Sequence, residues 1–391
     1  MGQPSGRLPA PHPSRILASL IMSDLFSPLT LRGLTLRNRT VVSPMCQYSA
    51  QMGLANDWHL VHLGRFAVGG FGLVVVEATG VEARGRITYG CLGLWSDAQI
   101  APLKRIVDFV HDQKAAIGIQ LAHAGRKASS QLPFLPSPSA EDKARHSYED
   151  WTPVAPSAIP HDDTSKVPHA LTIAEIGDIR QAFVDAALRA ETAGFDVVEL
   201  HFAHGYLVNE FLSPLANKRT DAYGGSRENR MRLALEIAES VRAVWPGDKP
   251  LFARISTQDW HPDGWQVEDS IVLARELKAR GVDVIDCSSG GFAEGRPVSG
   301  PAYQLPFADA VRKGADIKTM AVGMMGDPAE AEAAIAEGKA DLAALARPAL
   351  DDPNWPARAM AAAGLKPEVY ALHAKQAGYA VRGLHAALGI I

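Results

Sequence analysis

Residues 172–200 read TIAEIGDIRQAFVDAALRAETAGFDVVEL, a pattern that predicts a helix followed directly by a strand. Thr172 with Glu175 forms a capping-box pattern at the start of an apolar-periodic run. Gly194 stands where such a helix should stop, and the β-rich run Asp196–Leu200 follows it. The stretch therefore indicates one helix–strand unit of an α/β protein.

The same unit recurs along the chain. Asp327 followed by Pro328 is typical of another helix start, and Gly281 of another helix stop. Most of the β-rich runs are nearly continuous in apolar residues, as expected for strands buried on both faces. Such alternation predicts βαβ units and a parallel sheet. The eight strand candidates are Thr40–Ser43, Leu73–Glu77, Ile117–Leu121, Asp196–Leu200, Leu251–Ile255, Val282–Cys287, Thr319–Val322 and Leu342–Leu345.

Eight strand–helix pairs favour a closed (β/α)8 barrel, the TIM barrel, over an open sheet. An open doubly wound sheet normally carries a glycine-rich dinucleotide turn after its first strand, whereas Ser43-Pro44-Met45-Cys46 stands there. A barrel with insertions accommodates 391 residues as one domain. We therefore expect one barrel domain with a C-terminal tail over residues 23–391.

A long insertion after the third strand interrupts the alternation. Residues 128–170 separate that strand from its helix and are rich in Pro, Ser and Asp. A structureless loop of this length is typical of a lid or a binding segment, and it would leave the barrel at the end where active sites lie. A solvated surface insertion is the alternative interpretation.

Composition narrows the classes of function and location. Apolar residues make up 47% and charged residues 21%, and the net charge of −4 argues against nucleic acid as the main partner. Cys46, Cys91 and Cys287 are far apart, which favours a reducing, cytoplasmic compartment and no zinc or iron–sulfur site. No segment reaches the length of a membrane span. Residues 1–22 are rich in Pro, Ser and Arg and are predicted to be a disordered extension.

The strand ends are the places to search for chemistry, because barrels gather their reactive residues there. They offer several hydrogen-bond donors and one thiol. They carry neither the carboxylate pair of a glycosidase nor the GxSxG turn of a serine hydrolase. This set suits a flat polar cofactor and an anionic oxygen.

The fourth strand ends in His201-Phe202-Ala203-His204-Gly205-Tyr206. Two histidines three residues apart can converge on one point, where their N–H groups would stabilise negative charge on a carbonyl oxygen. Tyr206 can donate a phenolic proton. The alternatives are a purely structural role and a metal site in a barrel hydrolase or lyase, although no third ligand is obvious.

The last two strands predict a phosphate site. Gly323-Met324-Met325-Gly326 follows the seventh strand and permits close backbone approach, and Arg347 follows the eighth and supplies positive charge. Barrels often bind phosphate at these two loops.

Taken together, these motifs resemble the Old Yellow Enzyme family of flavin ene-reductases, in particular its bacterial, thermophilic-like branch. The resemblance covers Asp24 to Pro356. It rests on LFSPL at 25–29, SPMCQY at 43–48, QLAHAGR at 120–126, HFAHGY at 201–206 and NKRTDAYGGS at 217–226.

The resemblance implies a non-covalent FMN in the barrel mouth and NAD(P)H as the reductant. Gln120 would bind the pyrimidine edge of the flavin, and Arg254 would lie near N1 and O2. A fixed cation at that edge also favours the negative charge of the reduced flavin. The implied cofactor-binding residues are Ser43, Pro44, Met45, Cys46, Ala78, Gln120, Arg254, Gly290 (with Gly291 beside it), Gly323, Met325, Ala346 and Arg347.

The resemblance also implies the reaction, which is reduction of the activated C=C bond of α,β-unsaturated carbonyl compounds. His201 and His204 would bind the carbonyl oxygen, the flavin would deliver hydride to the β-carbon, and Tyr206 would protonate the α-carbon. Tyr48 would also reach the substrate oxygen. Cys46 would lie beside the flavin and tune its potential and substrate binding.

Partners and rival functions follow from the same comparison. We expect a small enone-type substrate and a homo-oligomer, either a dimer or a tetramer. Tyr379 and Arg382 loosely resemble a tail that reaches a neighbouring active site, and a surface helix is the alternative.

A dienoyl-CoA-type reductase would need an iron–sulfur segment and a second flavin domain. A flavin-binding protein without turnover would lack a reason for the His–His–Tyr set.

Overall fold

Eight parallel strands close into a barrel in the computed structural model, which describes residues 24–135, 137–145, 148, 150–364 and 369–387. The strands follow one another around the barrel in chain order, and the eighth pairs with the first. They are β1 Thr40–Val42, β2 Leu73–Gly80, β3 Ala116–Ala122, β4 Val197–Phe202, β5 Leu251–Ser256, β6 Val284–Ser288, β7 Lys318–Ala321 and β8 Leu342–Leu345. The predicted (β/α)8 barrel is confirmed, and the predicted extension over residues 1–22 lies outside the described residues.

A helix follows each strand and covers the outside of the barrel. These helices are α1 Asp57–Val68, α2 Ile100–Asp112, α3 Ile173–Ala193, α4 Arg227–Val244, α5 Val267–Ala279, α6 Leu305–Ala315, α7 Pro328–Ala336 and α8 Trp355–Ala362. Additional helices are Ala140–Arg145, Leu207–Leu212, Arg347–Asp351, Val369–Leu372 and Lys375–Ala387, and the 3-10 turns are Asp24–Phe26, Ala83–Gly85, Asp97–Gln99 and Gly125–Lys127. An N-terminal hairpin pairs Leu29–Leu31 with Leu34–Leu36.

The helix boundaries confirm the capping signals of the sequence. The Glu175 backbone N–H donates to the Thr172 hydroxyl, and the Thr172 backbone N–H donates to the Glu175 carboxylate at 2.8 Å. Gly194 ends α3 with φ +93°, in the left-handed region that favours glycine. Asp327 accepts the Ala329 backbone N–H at 2.8 Å at the start of α7.

The N-terminal end of the barrel is filled by apolar side chains. Leu31 and Leu36 of the N-terminal hairpin share one buried cluster with Leu73, Val197 and Leu342, which begin or nearly begin their strands. Each fully buried side chain of this kind contributes roughly 1.5–3 kcal/mol of transfer free energy. The hairpin therefore closes this end, and the opposite end carries the open mouth.

The insertion between β3 and α3 is more ordered than predicted. It contains the helix Ala140–Arg145 and a two-residue strand pair, Val154–Ala155 with His169–Ala170, so the prediction of a structureless loop was wrong. Its Trp151 indole N–H donates to the Arg84 carbonyl at 2.8 Å. This bond joins residues 67 positions apart in the chain, so the composition of the insertion could not indicate it. Across the described ranges, no helix combines the length and apolar character needed to cross a bilayer.

Candidate functional site

A buried polar layer lies beneath the mouth of the barrel. Gln120 on β3 stands beside Glu199 on β4 and donates from Nε2 to the carboxylate at 2.8 Å. Arg254 on β5 stands beside Asp286 on β6, with 3.0 Å between Nε and Oδ2. Burial raises the pKa of both carboxyl groups, and the charge of Arg254 opposes that rise. The sequence interpretation singled out Gln120 and Arg254 and missed the two acids that orient them.

The two predicted histidines converge above this layer. Strand β4 extends to Phe202, so His201 lies within the strand and not after it as predicted. His204 follows in a turn with φ +63°, and 3.4 Å separates its Nδ1 from Nε2 of His201. Desolvation and then Arg254 lower the pKa of both imidazoles well below the ordinary value, so both rings are neutral at pH 7.

Neighbouring groups set the tautomers of these rings. The Ala203 backbone N–H donates to Nδ1 of His201, which leaves the proton of that ring on Nε2. Nε2 of His204 lies 2.7 Å from the Ser288 hydroxyl. When that hydroxyl donates, the proton of His204 is on Nδ1, and the N–H groups of both histidines face the same point. An oxygen acceptor at this point would receive two hydrogen bonds.

Tyr206 flanks the histidine pair. Its ring centroid lies 5.1 Å from that of His201, and the two planes are perpendicular. Desolvation and then Cys46 raise the pKa of the Tyr206 phenol well above its ordinary value. The phenol therefore keeps its proton at neutral pH and is available as a donor.

Cys46 and Tyr48 lie on a turn after β1. The Gln47 backbone N–H donates to the Glu77 carboxylate at 3.0 Å, and Tyr48 adopts φ +51°. Although Cys46 is only partly buried, desolvation and then Glu77 raise the pKa of its thiol, and desolvation and then Cys46 raise that of the Tyr48 phenol. Both groups are neutral hydrogen-bonding partners in this arrangement.

A cavity of about 650 Å³ joins Arg254 to the predicted phosphate loops. Gly323, Ala346 and Arg347, which are among the predicted cofactor-binding residues, line it, and Gly323 has φ +113°. Met325 differs, because its side chain is 1% exposed in the core and leaves only its backbone for a ligand. Tyr303, Gln304 and Ser288 also line the cavity and carried no local signal as cofactor-binding residues.

The remaining predicted residues surround the mouth. Ala78 is buried in β2, and Pro44 and Met45 are half-buried after β1. Gly290 and Gly291 follow β6 with φ +70° and +123°. By contrast, Tyr379 and Arg382 line a groove beside the ends of α1 and α2, away from the mouth of the same chain.

The donors at the mouth fit a flavin mononucleotide. The Ser43 hydroxyl is buried and has no hydrogen-bond partner among the described residues, and the Arg254 guanidinium is paired only through Nε, with Asp286, among the contacts described above. Arg347 supplies positive charge at the far end of the cavity. Among the residues that the structure describes, no group of three His, Cys, Asp or Glu side chains could hold a metal ion. Buried donors beneath the mouth and a cavity that runs from Arg254 to Arg347 fit a ring with a phosphorylated chain better than a metal centre.

Known proteins support the same class of cofactor. The model of the NADH:flavin oxidoreductase / NADH oxidase family matches residues 24–365. An NADPH dehydrogenase of Geobacillus sp. (strain WCH70) is 47% identical over 334 residues, which are 85% of this chain and 92% of the relative. Morphinone reductase superposes with a TM-score of 0.73 at 28% identity, covering 87% of this chain and 90% of that structure. An old yellow enzyme homologue from Zymomonas mobilis has a TM-score of 0.69 at 25% identity, covering 86% and 92%.

Proposed function

Because the chain belongs to the NADH:flavin oxidoreductase / NADH oxidase family, we propose that it reduces the activated C=C bond of α,β-unsaturated carbonyl compounds. It is an NAD(P)H-dependent flavin oxidoreductase that uses FMN. The observation that supports the finer assignment is the convergence of His201 Nε2 and His204 Nδ1, 3.4 Å apart, beside Tyr206. Two neutral N–H donors aimed at one point suit a carbonyl oxygen that gains negative charge during reaction.

The histidine pair polarises the substrate in this proposal. Hydrogen bonds from His201 and His204 withdraw electron density through the carbonyl oxygen, which makes the β-carbon electrophilic. Because the imidazoles are neutral, they bind the oxygen without protonating it. Tyr48, on the turn after β1, adds a further donor towards the substrate oxygen. When bound, FMN supplies the hydride and is itself reduced by NAD(P)H.

Tyr206 completes the addition by donating its phenolic proton to the α-carbon. A raised pKa keeps the proton in place until negative charge develops on the substrate. Cys46 would contact the flavin and the substrate as a thiol, since its pKa is also raised.

Gln120, Arg254 and the phosphate loops would hold the cofactor. Glu199 accepts one amide hydrogen of Gln120 and so leaves the amide oxygen to face the pyrimidine edge. Arg254 would place its charge where electron density gathers on reduction. Gly323, Met325, Ala346 and Arg347, with Gly290, would hold the phosphate, Met325 through its backbone. Ser43, Pro44, Met45 and Ala78 would border the ring system.

A metal-dependent hydrolase or lyase that uses His201 and His204 is the rival function. It requires a third protein ligand, and the described residues supply none of the usual types beside the pair. Ser288 instead occupies the remaining ring nitrogen of His204. The flavin reaction therefore accounts for more of the observed contacts.

An anaerobic visible spectrum of the purified, FMN-loaded protein tests the proposal. Addition of NADPH should bleach the flavin band, and addition of cyclohex-2-enone should restore it. Cyclohexanone, which lacks the C=C bond, is the matched control and should leave the band bleached. A band that bleaches with NADPH and does not return with the enone would overturn the substrate assignment while leaving the flavin oxidoreductase activity intact.

A further inference from the structure

Lys127 joins two loops of the mouth to a third. It ends the 3-10 turn Gly125–Lys127 after β3, and its ammonium donates to the backbone carbonyl of His204 at 2.8 Å. The same ammonium donates to the backbone carbonyl of Gly291. These carbonyls belong to the loops after β4 and β6, so one cation connects three strand ends.

The two carbonyls need such a cation because the loops meet backbone to backbone. His204 has φ +63° and Gly291 has φ +123°, and a Cβ on Gly291 would overlap the carbonyl carbon of His204. Two carbonyl oxygens that point at one place repel each other. The Lys127 ammonium converts that repulsion into two charge-assisted hydrogen bonds.

A second bridge ties the other side of the same peptide. The His204 backbone N–H donates to the Ser256 hydroxyl at 2.8 Å, and that hydroxyl donates to the Gly290 carbonyl at 2.6 Å. His204 is thus attached to the β6 loop through Ser256 at its N–H and through Lys127 at its C=O. Its ring has few rotamers once the backbone is fixed, so these bridges determine where Nδ1 points.

We propose that Lys127 is a positioning residue that holds His204 in its carbonyl-binding orientation by bridging the His204 and Gly291 carbonyls. The inference rests on the proposed function, in which His204 binds the substrate oxygen. Lys127 itself touches neither the substrate nor the cofactor in this assignment. Its ammonium lies 5.4 Å from the Tyr206 ring centroid, over the inner wall of the site.

The test is binding of 4-hydroxybenzaldehyde, as its phenolate, to oxidised, FMN-loaded protein by isothermal titration calorimetry. Lys127→Met keeps an unbranched side chain that is one atom shorter and removes both hydrogen bonds, while the Ser256 bridge remains. Loss of charge-assisted bonds should weaken phenolate binding by about 10- to 100-fold. Binding of FMN, followed by its fluorescence, should stay within about threefold of the wild type, since Lys127 does not contact the cofactor.

Lys249 offers a matched control, because it bonds a backbone carbonyl at the other end of β4. Its ammonium donates to the Phe195 carbonyl at 2.8 Å, just before β4 begins and at the opposite end of the barrel. Lys249→Met therefore loses the same kind of bond and should bind the phenolate as the wild type does. A Lys127→Met protein that binds the phenolate as tightly as the Lys249→Met protein would overturn the inference.

If the Lys127→Met protein fails to retain FMN, Lys127→Arg provides the test of the bridge. Arginine keeps the charge and the donors, so phenolate binding within about threefold of wild type supports the bridge. A loss of tenfold or more in this variant, with FMN retained, contradicts it. A wild-type holoprotein that does not bind the phenolate at all would overturn the proposed function and this inference with it, which separates the two failures.

Discussion

The Ser288 hydroxyl lies 2.7 Å from Nε2 of His204, and the two residues come from strand ends that are not neighbours in the barrel. If this hydroxyl donates to Nε2 and not to Gln304 Oε1, which lies 3.4 Å away, the His204 proton is on Nδ1, where it faces His201. Without the Ser288 hydroxyl, the His204 ring is no longer held in one tautomer. Ser288→Ala should therefore weaken phenolate binding by about five- to tenfold, as expected for one neutral hydrogen bond. Ser289→Ala, which loses a bond to Gln304 instead, is the control and should bind the phenolate normally in the same titration.

Removal of both imidazoles should have a larger effect on phenolate binding. Hydrogen bonds to a charged oxygen contribute roughly 1.5–3 kcal/mol each, so His201→Ala with His204→Ala should weaken binding by at least about 100-fold. FMN content, measured by absorbance, serves as the control for an intact barrel. Unchanged phenolate affinity in the double variant would remove the histidine pair from the carbonyl site.

Tyr206→Phe should separate the two half-reactions. Without the phenol, return of the flavin band after addition of cyclohex-2-enone should slow by about 100-fold or more, the usual contribution of a general acid. Bleaching by NADPH needs no proton from Tyr206 and should keep its wild-type rate in stopped-flow measurements. Equal slowing of both steps would contradict its role as the proton donor.

The raised pKa of Glu210 should make the stability of the fold depend on pH. It is fully buried, accepts the Arg126 backbone N–H at 2.8 Å, and burial raises its pKa from 4.5 to about 8. Between pH 4.5 and about pH 8, Glu210 has lost its proton in the unfolded chain and keeps it in the folded chain. The folded state then binds more protons, so the free energy of unfolding falls as pH rises, by roughly 1.4 kcal/mol per unit for such a group.

Glu210→Gln removes this titration and keeps an oxygen for the Arg126 N–H. Its urea midpoint should therefore fall less between pH 5 and pH 8 than that of the wild type. Glu239→Gln replaces an exposed carboxylate on α4 and should follow the wild-type curve. Parallel curves for the wild type and Glu210→Gln would show that Glu210 is ionised in the folded protein.

Gly291→Ala should destabilise the loop after β6, because the substitution strains the backbone there. A Cβ there would overlap the His204 carbonyl carbon, and φ +123° is unfavourable for any side chain. Strain and overlap together should lower the free energy of unfolding by about 2 kcal/mol or more. Gly247→Ala, where a Cβ would meet open space, should be nearly neutral in the same denaturation experiment.

The sequence predicts the order of elements well because each unit carries its own start and stop signals. The Thr172 cap and the Gly194 stop are local, and the family suggested by the motifs is confirmed. Glu199 and Asp286 escaped notice because an acid within a buried strand has no local mark that shows which way it points. Lys127 bonds partners 77 and 164 residues away, and only the closed barrel makes them neighbours.

The N-terminal hairpin has a kinetic consequence. The hairpin leucines cover one end of the barrel and side chains fill its interior, so in the proposed reaction a nicotinamide donor and an electron-poor acceptor would both approach from the mouth. Each occupant then excludes the other, so the oxidised donor must leave before the acceptor enters. Steady-state rates should show a substituted-enzyme pattern with parallel double-reciprocal lines, and an excess of either reactant should inhibit turnover by occupying the site out of turn.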